Sequence, residues 1–309
     1  MNESEIVQER AHNLWNSAAR KFPPLARAGT LRATPQVGSE EIGGLEEAQE
    51  EVLTYACAMT NREVYAAWGT FPPSGLLLIG QHGCGKSLLA EALATRARSA
   101  FLRVEVPRLA LEIVHHGGKV GELVEAFSSV LGELPPTTVY FHELEFMQAA
   151  EIGGDRTDLP LGPIMDFLCE LTDRAAAQPS VLLVGSTSHP GTLRPAFALA
   201  GRFERVVEVT PSYPDDIVAA LRIHARAAEK RAGRSLFGEV EWLDVVNRFR
   251  EPSVGEWVGL LHAALRRKAR SECAALEAGA VTTADLLGEV EVLRRTLKRL
   301  RSSEGGTYL

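Results

Sequence analysis

Eight consecutive residues constrain this chain more than any others: Gly80-Gln81-His82-Gly83-Cys84-Gly85-Lys86-Ser87, directly after the apolar run Gly75-Leu76-Leu77-Leu78-Ile79. This is a complete G-x-x-x-x-G-K-[ST] loop between a strand and a helix, since Leu88, Leu89, Ala92 and Leu93 follow at helical spacing. Glycines at 80, 83 and 85 allow the backbone to wrap phosphates, and the N–H groups from His82 through Cys84 to Leu88 point inward at a helix start. Lys86 reaches the β and γ oxygens, and Ser87 supplies a hydroxyl ligand for Mg²⁺. The motif therefore implies a bound nucleoside triphosphate and fixes a strand–loop–helix unit around which the rest must fold.

The surrounding pattern alternates β and α. A helix is expected near 45–60, then strands at 75–79, 101–106, 138–141 and 181–184, with the loop helix and helices near 120–132 and 163–176 between them. That order predicts a doubly wound, mainly parallel sheet over residues 40–212. Pro211 and Pro214 mark a break, and helical periodicity then runs over 213–301 as a small all-helical lid. Residues 1–39 read as an appended helix ended by Pro23-Pro24, followed by a Thr-, Gly- and Pro-rich linker from Arg27 to Ser39. Residues 302–309 read as a flexible tail.

Composition removes several function classes. At 45% hydrophobic and 24% charged, the 309 residues can bury a sizeable core, and a net charge of −7 disfavours binding duplex nucleic acid through bulk electrostatics. Basic stretches at Arg266-Arg267-Lys268 and from Arg294 to Arg301 fall at helical spacing and read as solvated faces. The four cysteines have no C-x-x-C pairing, which suits a reducing compartment. No run approaches the roughly 18 apolar residues of a membrane span, and a polar start from Met1 to Glu9 is unlike a secretory leader, so a soluble cytoplasmic protein is expected.

Ordered motifs beyond the loop resemble the AAA ATPases, in the branch that holds FtsH, valosin-containing protein and the proteasomal ATPases. Glu41-Ile42-Gly43-Gly44-Leu45 resembles the D-I-G-G-L segment that cups adenine, and Phe71-Pro72-Pro73-Ser74-Gly75 the approach to the phosphate loop. Val139-Tyr140-Phe141-His142-Glu143 resembles the acid-ended strand, Gly201-Arg202-Phe203-Glu204-Arg205 the arginine-finger run, and Leu221-Arg222-Ile223-His224 the L-x-I-H stretch near the base. The resemblance implies a AAA nucleotide domain with a helical lid, ATP and Mg²⁺ as cofactors, and a homo-oligomer, typically a hexameric ring, or a hetero-ring. It assigns Glu143 as the base that activates water, Ser188 as the γ-phosphate sensor, and Arg202 and Arg205 as fingers acting on a neighbour's nucleotide. Ile42, Gly44, His224 and Gly255 fall where relatives line the base and ribose.

Departures from that pattern bear on activity. His142 stands where the family has an aspartate, Ser188 where it usually has asparagine, and Val254 within Ser253-Val254-Gly255-Glu256-Trp257 where it has glycine. A structural histidine remains the alternative for His224, and surface ion pairs with Glu204 or Glu208 the alternative for the two arginines. Val114-His115-His116-Gly117 aligns with the aromatic pore loop of substrate-threading relatives, with His115 in the aromatic position; a solvated glycine loop is the alternative. The expected function is slow ATP hydrolysis coupled to remodelling or unfolding a protein substrate; the alternative is a nucleotide-gated scaffold with little hydrolysis. Thr307-Tyr308-Leu309 resembles the docking tails of proteasome-activating ATPases, which implies a core proteasome as partner, against an ordinary frayed end.

Overall fold

A computed structural model describes residues 3–73, 75–116, 120–145, 161–193, 202–274 and 277–304. Two compact units divide the chain, the first comprising residues 1–39, 46–81 and 86–209 and the second residues 40–45, 82–85 and 210–309.

Six strands form the sheet of the first unit: β1 (Gly29–Arg32), β2 (Gly75–Ile79), β3 (Ala100–Glu105), β4 (Thr137–His142), β5 (Val181–Thr187) and β6 (Arg205–Glu208). Their order is β1-β3-β4-β5-β2-β6, parallel throughout except for β1, which pairs antiparallel with β3. The central strands lie under cover on both faces, which is why they read as near-continuous apolar runs instead of alternating ones. Every residue of β5 is buried. Gly185 sits between Leu77 of β2 and Phe141 of β4; a Cβ there would meet Leu144 and Phe203 at 2.7 Å, so the missing side chain lets Phe203 pack on the sheet. Because the strands are parallel, the carboxyl ends of β2, β4 and β5 emerge along one edge, the usual place for a ligand in such a sheet.

The first unit departs from the sequence expectation at its start. Helix α1 (Glu3–Lys21) is integral, since Ala11 and Trp15 join the same core cluster as β3 and β4, although Ile6 and Val7 stay exposed. The segment expected as a linker instead forms α2 (Pro23–Ala28) and β1, with Gly29 pressed against the Trp15 indole; Ala33–Gly38 alone lacks helix or strand. The expected helix near 45–60 is two short ones, α3 (Glu46–Thr54) and α4 (Ala56–Thr60), and a third, α5 (Arg62–Ala67), follows them. Among the described residues, the unit's further helices are α6 (Lys86–Arg96), α7 (Val106–His116), α8 (Val120–Glu133) and α9 (Leu161–Ala176). His115 and His116 therefore close a helix, and the proposed pore-loop glycine at 117 lies outside the described residues.

The second unit contains α10 (Asp215–Ala232), α11 (Trp242–Asn247), α12 (Val254–Cys273) and α13 (Thr283–Glu304), packed around Trp257, Val245, Val246 and Leu261. Gly233 ends α10 in the left-handed conformation at φ 65°. Ser253 caps α12 in a complete capping box with Glu256. Three basic residues of α12 and α13 are paired within the unit: Arg267 with Glu289 at 2.5 Å, Lys268 with Asp285 at 2.8 Å, Arg294 with Glu291 at 2.9 Å. No described helix is long and apolar enough to cross a membrane.

Candidate functional site

The phosphate loop has the backbone its glycines were expected to permit: φ is 155° at Gly80, 74° at Gly83 and 106° at Gly85, all in the region that L side chains avoid. Lys86 opens α6 and is almost wholly buried at 7% exposure. Its Nζ donates to the carbonyls of Gly80 at 2.5 Å and Gln81 at 2.7 Å, and to Ser188 Oγ at 3.2 Å. A desolvated ammonium at a helix start, beside N–H groups held open by glycine, is a donor set that fits a polyphosphate.

Two other strand ends, those of β4 and β5, lie beside the end of β2 that leads into Lys86 and Ser87. Glu143 follows β4 in the left-handed region, at φ 61°, a conformation costing about 1 kcal/mol or more in a non-glycine residue. Its carboxylate lies 3.5 Å from His142 Nε2. His142 is kept neutral at ordinary pH: burial and the Arg103 charge push its pKa down, against Glu105 and Glu143. Ser188 follows β5, its N–H donating to Glu145 Oε1 at 2.9 Å. Burial alone would raise the Glu145 pKa, but that bond and others hold it below the usual carboxylate range. Glu145 thus ties the sensor strand to the acidic strand, a structural part that spacing alone did not assign.

Behind Ser87 lies a polar cluster inside the sheet. Ser87 Oγ is 3.0 Å from Tyr140 Oη, which donates to Ser186 Oγ at 2.8 Å; His142 Nδ1 is 3.2 Å from Tyr140 Oη and 3.4 Å from Ser186 Oγ. Tyr140 is fully buried, which raises its phenol pKa, and its ring stacks on Phe101 at 5.8 Å. In sequence this residue passes for one more apolar strand position; the only available signal was a hydroxyl-bearing aromatic two residues ahead of His142.

Both candidate finger arginines are engaged within their own chain. Arg202 grips Asp173 of α9 with Nε–Oδ1 at 2.6 Å and Nη2–Oδ2 at 2.8 Å, and Arg205 pairs with Glu51 of α3. Asp173 and Glu51 are partners that sequence proximity, which suggested Glu204 or Glu208, did not point to.

The second unit brings the remaining candidates together. Ile42 is buried. A Cβ at Gly43 would run into the Ala220 backbone, and Gly44, at φ 67°, sits against Asp216, whose carboxylate accepts from the N–H groups of Leu45 at 3.0 Å and Ser212 at 2.8 Å. The paired glycines are therefore needed for docking on α10. Gly255 N–H donates to the Gly83 carbonyl at 3.0 Å, so the loop tip meets the start of α12. His224 faces His262 edge-on at 6.3 Å, and burial, each other's proximity and Arg231 lower the His224 pKa.

Residues 76–211 match the family described as "ATPase family associated with various cellular activities (AAA)". Among similar curated proteins, the proteasome-activating nucleotidase of Methanocaldococcus jannaschii is 32% identical over 206 residues, 65% of this chain and 46% of that protein. Proteasome-activating nucleotidase 1 of Haloferax volcanii is 30% identical over 209 residues, 65% and 49%, and the nucleotidase of Archaeoglobus fulgidus 30% over 208, 66% and 51%. The chain thus spans about half the length of the curated relatives it matches.

Proposed function

Since the chain belongs to the AAA family, we propose that it is an ATP-hydrolysing subunit that turns over slowly and remodels or unfolds a protein partner as part of a ring, hexameric by family resemblance. The observation that supports this reading is the Lys86–Ser188 contact, with Glu143 directly after the strand that lies next to the one carrying Ser188. When bound, Mg²⁺·ATP supplies the phosphoanhydride and the cation that neutralises its charge. Lys86 holds the phosphates, and Ser87 is the residue that would ligate the cation. Glu143 takes the proton of the attacking water, and Ser188 holds its hydroxyl against the same ammonium. Ile42, Gly44, His82, Gly83, Cys84, Gly85, Leu88, His224 and Gly255 are assigned to nucleotide binding by the family pattern. Arg202 and Arg205 complete a neighbour's site, for which each must exchange its Asp173 or Glu51 partner. The relatives' names point to a proteasome as partner; the reading of Thr307–Leu309 as a tail that docks on its core lies outside the described residues.

One observation favours the second reading, a nucleotide-gated scaffold: a neutral imidazole, His142, occupies the position of the metal-orienting carboxylate. Turnover and oligomeric state of the purified chain, measured across protein concentration with and without Mg²⁺, separate the two. Slow, Mg²⁺-dependent turnover that rises with assembly and vanishes in Glu143→Gln supports the enzyme. ATP-driven assembly with turnover no higher than in Glu143→Gln supports the scaffold.

A further inference from the structure

The loss of the family's aspartate at 142 leaves a question of hydrogen-bond bookkeeping at Ser87. A hydroxyl that ligates a cation does so through oxygen lone pairs, so its single proton must be given to some other acceptor. The proton inventory of the buried cluster identifies that acceptor. Tyr140 spends its only proton on Ser186 Oγ at 2.8 Å. Toward Ser87, 3.0 Å away, the phenol oxygen can then only accept. Ser186, having accepted from Tyr140, has its own proton free for His142 Nδ1 at 3.4 Å. An Nδ1 that accepts leaves the imidazole proton on Nε2, the atom facing Glu143 Oε1 at 3.5 Å. With the Tyr140 proton on Ser186, the order Ser87, Tyr140, Ser186, His142, Glu143 gives each of these contacts a proton to share, and the 3.2 Å approach of Tyr140 Oη to His142 Nδ1 is a contact between two atoms that both accept.

Resting on the nucleotide-site reading above, we propose that Tyr140 is a positioning residue that replaces the missing carboxylate: its phenol oxygen takes the Ser87 proton and turns the Ser87 lone pairs toward a cation. The same chain orients His142 so that its N–H faces Glu143, linking the cation ligand to the general base. The arrangement needs a hydroxyl-bearing ring, because the oxygen must reach from the middle of β4 to the start of α6. Its packing against Phe101 fixes the ring, so the phenol is held in place without a charged partner.

The test uses the full chain and a fluorescent ATP analogue titrated with and without Mg²⁺. Tyr140→Phe keeps the ring and removes the acceptor; it should leave Mg²⁺-free affinity within about twofold and cut the affinity gained on adding Mg²⁺ by about five- to tenfold, the worth of one hydrogen bond. Ser87→Ala should cost at least as much, and Tyr140→Phe combined with Ser87→Ala should cost no more than Ser87→Ala alone. An unchanged Mg²⁺ gain in Tyr140→Phe, or additive losses in the double variant, overturns the proposal. If Tyr140→Phe does not fold, Ser186→Ala combined with His142→Ala decides: with both neighbouring acceptors of the Tyr140 proton removed, that proton points at Ser87 and the Mg²⁺ gain should fall at least threefold below that of His142→Ala alone, and no such reduction overturns the proposal. Failure of the parent chain to bind the analogue at all would instead defeat the nucleotide-site reading on which it rests.

Discussion

Replacing His142 with aspartate should make the protein less stable by itself and more active when loaded. His142 Nε2 lies 3.5 Å from Glu143, and the two side chains are 16% and 30% exposed. His142→Asp therefore sets two carboxylates about 5 Å apart; at an effective dielectric of about 20 their repulsion is about 3 kcal/mol. Arg103, whose charge already acts on position 142, and partial solvent screening offset part of that, leaving a net loss of about 1–2 kcal/mol. For a unit of this size that lowers the thermal midpoint in chelator by roughly 2–8 °C. Mg²⁺ with a non-hydrolysable ATP analogue should recover the loss, because the paired carboxylates then face a cation. Turnover should rise on the order of tenfold, the usual worth of an acid that orients a metal shell. Thermal denaturation in chelator and in Mg²⁺·analogue, with a phosphate-release assay, reads both effects. A midpoint unchanged in chelator together with flat turnover would refute the view that the imidazole limits this site.

Three further outcomes follow from the same geometry. Arg202→Ala should lower turnover although its own phosphate loop is intact, and mixing it with Lys86→Ala should restore part of the rate; turnover independent of concentration in a strictly monomeric protein would contradict fingers acting between subunits. Gly44→Val places a β-branched residue at φ 67° against Asp216 and should cost about 2 kcal/mol or more in denaturant unfolding, whereas parental stability would show that this turn is not needed to dock on α10. His224 and His262 have folded pKa values below the ordinary 6.5, so an unfolded chain binds protons that the folded one does not; stability should fall as pH drops below about 6.5, and the paired change His224→Gln with His262→Gln should flatten that limb of a pH series of thermal midpoints.

The strands that carry chemistry were legible because each combines an apolar run with a polar residue at its carboxyl end: Ile79 before the glycine loop, Phe141 before His142-Glu143, and Val184 ahead of Ser188. Strand β1 was not legible. Gly29-Thr30-Leu31-Arg32 is short, alternates weakly and gains strand character only by pairing along the edge of β3. The cis partners of Arg202 and Arg205, 29 and 154 residues away, were hidden for the same reason, since they are set by the packing of α9 and α3 beside the sheet. The Ser87–Tyr140 contact crosses 53 residues and depends on which face of β4 meets α6, and a strand buried on both faces gives no alternation from which to read it.

The central claim is that Lys86 and its loop form a working nucleotide site, and equilibrium titration of the folded parent and Lys86→Ala chains with a non-hydrolysable ATP analogue tests it most directly. Losing the two charge-assisted contacts that one ammonium offers to phosphate corresponds to about 3–5 kcal/mol. The account predicts saturable binding by the parent and an affinity at least a hundredfold lower in a Lys86→Ala chain of unchanged circular dichroism; equal affinities in the two folded proteins would contradict it.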